Sequence, residues 1–394
     1  MHLTGQLDGG RLNILAAVAE SEFVLDLRVL VETKPSAAPG WTDNCPMNNE
    51  WFWSCPPGTD QYRPGLVSFI PSQQNDLSQS EMGSLVVTLL HKVDHIEPTR
   101  INNIFDFLES MERVGVLGAG RLGRAAEIVK RMFSDKQCFT FLSMSGPMIP
   151  GGLRNVVRLL VERGLVQAIV TSGANIVHDI VEAYGGGHFR VPQSKDDVEL
   201  REAGMGRIAD IFVHEKDFEL FEKGIYQFLD ALPEDRLTSL APSEFLAELG
   251  RSIEDTKSIV RQAAKHDVPI FSPGLMDSML GFHLYTYSTT KNLALDFVKD
   301  LRILGNIVTE QKKTGAIMLG GGLTKHFTMG STILRGGLDL AVQITLDRPE
   351  GGSLGGAPLV EGVSWQKVQA GANFETVIGD ATILFPLLVI PYLK

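Results

Sequence analysis

The chain has 394 residues, a formal net charge of −11 at neutral pH and an isoelectric point near 5.4. An acidic surface repels nucleic acid and anionic membranes, and it suits a polycationic substrate or a basic partner. Three cysteines (Cys45, Cys55 and Cys138) are too few and too scattered for a disulfide scaffold or a cysteine zinc site, so reduced thiols and no metal are expected, although Cys45 and Cys55 could pair.

Hydrophobic residues make up 44% of the chain and charged residues 21%, as in an ordinary globular enzyme. The N-terminus MHLTGQLDGGRLN lacks a basic start followed by an apolar core, and no run of eighteen apolar residues occurs. A cytoplasmic protein without a membrane span is therefore expected. Length alone suggests two or three domains, but one large α/β domain can absorb about 300 residues.

Residues 1–100 differ from the rest. Trp41, Trp51 and Trp53 fall among Pro, Gly, Asn and Ser, and the stretch from Lys34 to Gly65 reads as loop because turn residues break every periodic pattern. This segment is expected to be a partly irregular N-terminal extension, with the catalytic domain spanning 101–394. From about residue 101, short apolar runs alternate with amphipathic segments. The runs predict strands at Cys138–Met144, Gln167–Thr171, Ile208–Val213, Pro269–Phe271, Ala316–Leu319, Leu340–Thr345 and Thr376–Ile378. Helices are predicted in GGLRNVVRLLVERG, KSIVRQAAKHD and NLALDFVKDLRILGNIVTEQKK. The alternation implies an α/β fold with a mostly parallel, Rossmann-like sheet covered by helices on both faces. Ligands in such folds bind at the carboxyl ends of the strands. There the chain places glycines: Ser145–Pro147, Ser172–Ala174, Ser272–Gly274 and Gly320–Gly322.

Residues Val114–Gly123 contain Gly118-x-Gly120-x-x-Gly123, the spacing of a dinucleotide fingerprint. The preceding segment is a poor strand, and Asp135 comes too early to be the ribose-binding acid. The bland alternative is a glycine-bearing start to the helix GRAAEIVKRMF.

The densest chemistry lies at 315–390. The run AIML leads into three glycines and a predicted helix, LTKHFTMGSTIL. The run AVQIT leads through a glycine-rich loop to Glu361, Trp365 and Lys367. Lys367 is a plausible nucleophile, since an apolar and aromatic wall can favour its neutral amine. Glu361 and Trp365 suit a polyamine, by charge pairing and cation–π attraction. The alternative is a solvated lysine at a helix start with Trp365 in the core.

Several of these segments resemble the deoxyhypusine synthase family. VEGVSWQKV is similar to its SWGK segment, ATILFPLLV to its C-terminal DA-x-x-FPLLV, FSPGLMDSMLG to its FSPALTDGSLG, and GAIMLGGGLTKH to its LGGG--KH motif. TSGANIVHDIVEAYGG and VQITLDRPEGG look most like the archaeal branch. The resemblance covers roughly residues 105–394 and leaves out the first hundred.

It implies an NAD-dependent aminobutyltransferase. Spermidine or a related polyamine is oxidised with NAD, and the four-carbon group is carried as an imine on an active-site lysine. The group then passes to a lysine of the hypusine-bearing translation factor precursor. The resemblance assigns Lys367 as the covalent lysine. It places Glu361, Trp365, Tyr287 and Asn292 on the substrate side, and Ser172, Gly173, Gly281, Gly352, Ser353, Gly379 and Asp380 on the cofactor side. It moves NAD away from residues 118–123, and it implies a homotetramer with sites shared across a dimer interface. Asp380 has a local alternative as a helix N-cap. The chain departs from the family at Gln366 (usually Gly), and from its eukaryotic members at Leu354 (Asp), Tyr287 (His) and His178 (an acid near the cofactor). These departures leave open the amine chosen and the alternatives of a homospermidine-type synthase, with a small-amine acceptor, or a non-catalytic paralogue.

Overall fold

A computed structural model describes residues 92–190 and 196–394, together with the backbone of five short strands between residues 4 and 90. The chain separates into two compact units, Met1–Val93 and Asp94–Lys394. In the first unit, Thr4–Asp8 pairs antiparallel with Arg11–Leu15, and Leu66–Phe69 lies between Glu50–Trp51 and Val87–Leu90. Apart from Glu50–Trp51, the segment read as loop lies outside the described residues, as does the question of Cys45 and Cys55.

The second unit is built on six parallel strands: β1 (Cys138–Met144), β2 (Ala168–Thr171), β3 (Ile270–Phe271), β4 (Lys313–Leu319), β5 (Leu338–Thr345) and β6 (Val368–Ile378). Their spatial order is β3-β2-β1-β4-β5-β6. This is the doubly wound, Rossmann-like order, in which the direction of winding reverses between β1 and β4 and opens a crevice at the carboxyl ends of those two strands.

Alternation along each strand divides the core in two. Leu142, Met144, Ile317, Leu319, Val342 and Ile344 belong to one cluster, with helices on that face. Phe141, Ala316, Met318 and Ala341 belong to the other. Strands buried on both faces have no polar side to advertise, so they read as continuous apolar runs.

The first face carries α1 (Ile104–Val114), α2 (Leu117–Ser134), α3 (Arg154–Glu162), α4 (Gly173–Ala183) and α9 (Ala381–Val389), all represented in the first cluster. The second face carries α6 (Phe297–Thr309) and α7 (Gly322–Ser331). Two further helices matter for the site: α5 (Met279–Ser288) and the short α8 (Glu361–Ser364).

One predicted strand is corrected. Ile208–Val213 is not a single strand. Ala209, at φ 53°, turns the chain, so that Met205–Ile208 and Ile211–His214 form an antiparallel hairpin. With His188–Arg190 they make a separate three-stranded sheet.

The fingerprint glycines lie inside α2, with no strand before them. A Cβ on Gly120 would fall 2.2 Å from the carbonyl carbon of Gly115, and one on Gly123 would fall 2.2 Å from the Glu112 nitrogen. Here glycine serves a tight crossing of two helices, as its lack of a side chain allows. On α4, Asp179 accepts hydrogen bonds from Arg154, from the Ser258 hydroxyl and from the Ile259 and Val260 amides, tying the helix Ile259–Lys265 to α4. Among the described residues, no helix is long and apolar enough to cross a membrane.

Candidate active site

The carboxyl edge of the sheet gathers the strand-end segments. After β1, Ser145 donates its hydroxyl to the Gly321 carbonyl beyond β4 and lies 2.6 Å from the Thr324 hydroxyl, so the crevice is laced directly across the switch point. Gly146, Gly320 and Gly322 have φ of 76°, 73° and 65°, in the left-handed region that glycine adopts without strain. Two helices begin at this edge without a side-chain cap: α4 behind Ser172, and α7 behind Gly321. Uncapped amides at helix N-termini attract anions.

The residues assigned to the cofactor side fall along this edge or on the elements against it. Gly173 opens α4, and a Cβ there would meet the Ser278 hydroxyl at 2.6 Å; Ser278 in turn caps α5 through the Gly281 amide. Gly352, at φ 65°, turns the loop after β5, and Ser353 accepts from the Gly356 amide. Gly379 leaves β6, its amide bonded to the Thr345 carbonyl. The Asp380 carboxylate receives the Thr382 amide at 2.7 Å and hydroxyl at 2.8 Å, the geometry of an N-cap for α9.

These features fit a dinucleotide. Glycines clear the edge, two helix N-termini without side-chain caps face it, and Asp380 offers a carboxylate at the end of β6. Ser145 and the three glycines at 320–322 belong to this edge as well, though the sequence marked them only as strand ends.

The covalent lysine proposed from sequence lies elsewhere along the sheet. Lys367 follows α8 and precedes β6, so its backbone joins the sheet at the amino end of that strand, where its carbonyl accepts from the Leu338 amide. Its side chain is half-buried, with Nζ 5.6 Å from the centre of the Trp365 ring and 3.3 Å from Nε2 of His326 on α7. Partial desolvation, then the Lys367 charge, hold His326 below the ordinary imidazole value. His326 stands four residues into α7 from Gly322, about 6 Å of helix rise. The first turn of α7 therefore bridges the carboxyl edge and the lysine.

Trp365 is 69% exposed and does not belong to the core. Glu361 is exposed at the start of α8, close enough to Lys325 to stabilise its charge. Gln366, between Trp365 and Lys367, has φ 57°. This explains what the family's glycine supplies at that position: a left-handed turn.

The other assigned residues lie apart from this group. Tyr287 is buried in the core, its hydroxyl donating to Asp230 at 2.9 Å, and burial pushes it up to about 12. Asn292 is exposed in the connection between α5 and α6. His178 is buried, with Nδ1 2.9 Å from Nε2 of His188, and burial pushes it down to about 4. Among the described residues, no cluster of His, Cys, Asp or Glu is arranged to hold a metal ion.

Sequence reasoning missed His326 and Lys325. Their only signal was the Lys–His pair of the LGGG--KH-like segment, to which no role was attached. Lys325 is buried, and burial pushes its ammonium down to about 8.

The deoxyhypusine synthase family model matches residues 106–391, nearly the whole second unit. The chain belongs to the deoxyhypusine synthase family. It is 44% identical over 301 residues to a protein of Methanothermobacter thermautotrophicus named "Probable deoxyhypusine synthase", covering 76% of this chain and 97% of that relative. It is 46% identical over 282 residues to the protein of the same name from Methanopyrus kandleri, covering 72% and 91%. Among solved structures, an Entamoeba histolytica protein described provisionally as a deoxyhypusine synthase superposes with a TM-score of 0.52 at 23% identity, over 76% of this chain and 95% of that one, which bears on the fold. The family match lies within the second unit and does not extend to the first ninety residues.

Proposed function

We propose that this deoxyhypusine synthase family member transfers the aminobutyl group of spermidine, in an NAD-dependent reaction, to a lysine of the hypusine-bearing translation factor precursor. The observation that carries the reading is the contact between Lys367 and His326 beside Trp365, joined by one turn of α7 to a glycine-lined, doubly wound edge.

Ser145, Ser172, Gly173, Gly320–Gly322 and Gly379–Asp380 would hold NAD, with the amides of α4 and α7 facing its phosphates. Bound there, NAD would supply the two-electron oxidation of the amine and the matching reduction at the end of the transfer. The remaining work falls to the protein. His326, its basicity lowered, is neutral near pH 7, and its Nε2 accepts the proton that the Lys367 amine must lose to become a nucleophile. Attack of the Lys367 amine on the oxidised spermidine would break its internal C–N bond and release 1,3-diaminopropane, leaving the four-carbon unit on Lys367 as an imine until the acceptor lysine displaces it. The Trp365 face offers cation–π attraction to an ammonium, and the Glu361 carboxylate offers a counter-charge.

Trp365 is 69% exposed in the single chain, open to an acceptor or to a second copy of the chain. A second copy of the chain fits the exposed apolar side chains Met279, Phe282 and Tyr285 on α5 and Leu323 on α7. That agrees with the family's tetramer, and light scattering tests it.

Incubation with NAD and labelled spermidine, followed by borohydride, is the decisive assay. Label trapped on Lys367 supports the imine route, and an unlabelled protein refutes it. Label passing to the translation factor precursor rather than to putrescine fixes the acceptor. Full transfer by Lys367→Ala would overturn the assignment of the nucleophile.

A further inference from the structure

Lys325 lies in the first turn of α7, just after the glycines at 320–322, and is 4% exposed. Its ammonium has three hydrogens to give. It lies 3.0 Å from Gln343 Oε1, 3.0 Å from the Leu354 carbonyl and 2.6 Å from the Ala357 carbonyl. All three donors are used, and none of these partners is a carboxylate. The buried amide of Gln343 completes the lattice by donating to the Gly320 carbonyl at 3.1 Å and to the Gly355 carbonyl at 2.7 Å. An ammonium can only donate, so it fixes which end of the Gln343 amide faces it.

Sterics enforce the same closeness. A Cβ on Gly321 would fall 2.0 Å from the Gly355 Cα, and one on Gly356 would fall 2.1 Å from the Arg348 carbonyl oxygen. The loop after β5 is thus folded back on itself and pressed, main chain to main chain, against the glycines after β4.

We propose that Lys325 is a positioning residue, a cationic staple that locks the glycine loop of residues 347–357 onto the carboxyl edge of the sheet and thereby sets the loop's place beside the cofactor. The cofactor part of this rests on the function proposed above; the locking does not. Charge-assisted bonds to carbonyls are about twice as strong as neutral ones, so one side chain can hold two loop carbonyls and a sheet side chain together. The next residue, His326, faces Lys367 instead. A single turn of α7 therefore fixes the loop with one side chain and meets the nucleophile with its neighbour.

Burial weakens the Lys325 ammonium most, Glu361 and Asp347 oppose that, and Lys367 adds to it. A lysine so weakened could pass for the nucleophile, but its protons are committed to the loop and its side chain is closed to solvent. Label trapped by borohydride is accordingly expected on Lys367 and not on Lys325.

Hydrogen–deuterium exchange of the whole chain, with Lys325→Met, tests the staple. Methionine keeps the length of the side chain and removes every donor. The expected result is exchange about tenfold faster in peptides covering 350–360, the effect of losing roughly one net hydrogen bond, with peptides from β1 and β4 unchanged. NAD affinity should fall about tenfold, since each factor of ten is one such bond. Lys325→Arg, which keeps the charge and the donors, should recover part of the loop protection. Should Lys325→Met fail to fold, Gln343→Met removes one acceptor and both amide donors and must give the same loop-local signature. Unchanged loop exchange in the folded variants overturns the proposal, whatever happens to melting temperature. If the unsubstituted protein does not bind NAD, the cofactor reading falls while the exchange result still decides the staple.

Discussion

Nε2 of His326 and Nζ of Lys367 lie 3.3 Å apart, although 41 residues separate them in the chain. One sits on the exposed side of α7 and the other on the turn into β6. A neutral imidazole in that place is a proton acceptor for the amine. His326→Gln, which keeps a polar side chain but loses the titratable nitrogen, should lower kcat for aminobutyl transfer by about 10²–10⁴, the range typical of a lost general base. NAD affinity should be unaffected. In the unsubstituted enzyme the acid limb of kcat/KM should fall at a pH below the usual imidazole value of about 6.5, because His326 is depressed. The same limb persisting in the variant would assign it to another group.

The left-handed turn at Gln366 makes a second prediction. A side chain at φ 57° carries strain of order 1 kcal/mol, which glycine does not. Gln366→Gly should therefore raise stability by about 0.5–1 kcal/mol. Gln366→Val should lower it by more, since branching at Cβ is least compatible with that backbone. Thermal melts of the two variants measure this; a stabilising valine would contradict the turn.

Lys325 links stability to pH. Its folded value, near 8, lies below the unfolded lysine value of about 10.4. Between those values the unfolded chain binds more protons than the folded one, so raising the pH through this window favours the folded form. Below about pH 8 both forms are protonated and the contribution is constant. Denaturant unfolding from pH 7.5 to 10 should show a gain in stability for the parent relative to Lys325→Met, and parallel curves would show that the lysine is not depressed.

The fingerprint glycines give the fourth test. If Gly123 serves only the crossing of α1 and α2, Gly123→Val must push backbone against backbone and cost several kcal/mol, as overpacking of a core does. The fraction that folds should bind NAD as the parent does. A stable protein with lost NAD affinity would instead restore the phosphate-binding reading.

The sheet was legible because its strands are buried on both faces. Cys138–Met144 emerged with the expected bounds, and Ala316–Leu319 and Leu340–Thr345 grew by a few residues at their amino ends. β6 was seen only as its last three residues. It is an edge strand, and Gln369, Asn373 and Glu375 interrupt its apolar pattern, with Glu375 paired to Arg124 at 2.6 Å. The run at Ile208–Val213 misled because an apolar stretch conceals the reversal at Ala209, an alanine where turn chemistry gives no warning.

At the site, motif order found Lys367 and Trp365, which are neighbours in sequence. It could not attach His326 to them, because that contact depends on how α7 lies over the sheet. The tie between Lys325 and the loop was equally hidden, since two of its three partners are backbone carbonyls, which any sequence possesses, and the third is the side-chain amide of Gln343. Tyr287 and Asn292 came from similarity of segments alone, and within one chain the Tyr287 hydroxyl bonds to Asp230.

The lacing of Ser145 to Gly321 joins positions 176 residues apart. Strands β1 and β4 are thus neighbours in space but remote along the polypeptide. During synthesis β1 must wait, its partner side open, until more than half the unit has left the ribosome. Late closure of so distant a pair makes refolding slow and exposes an adhesive strand edge meanwhile. The crevice that would receive a dinucleotide is therefore among the last parts of the molecule to exist.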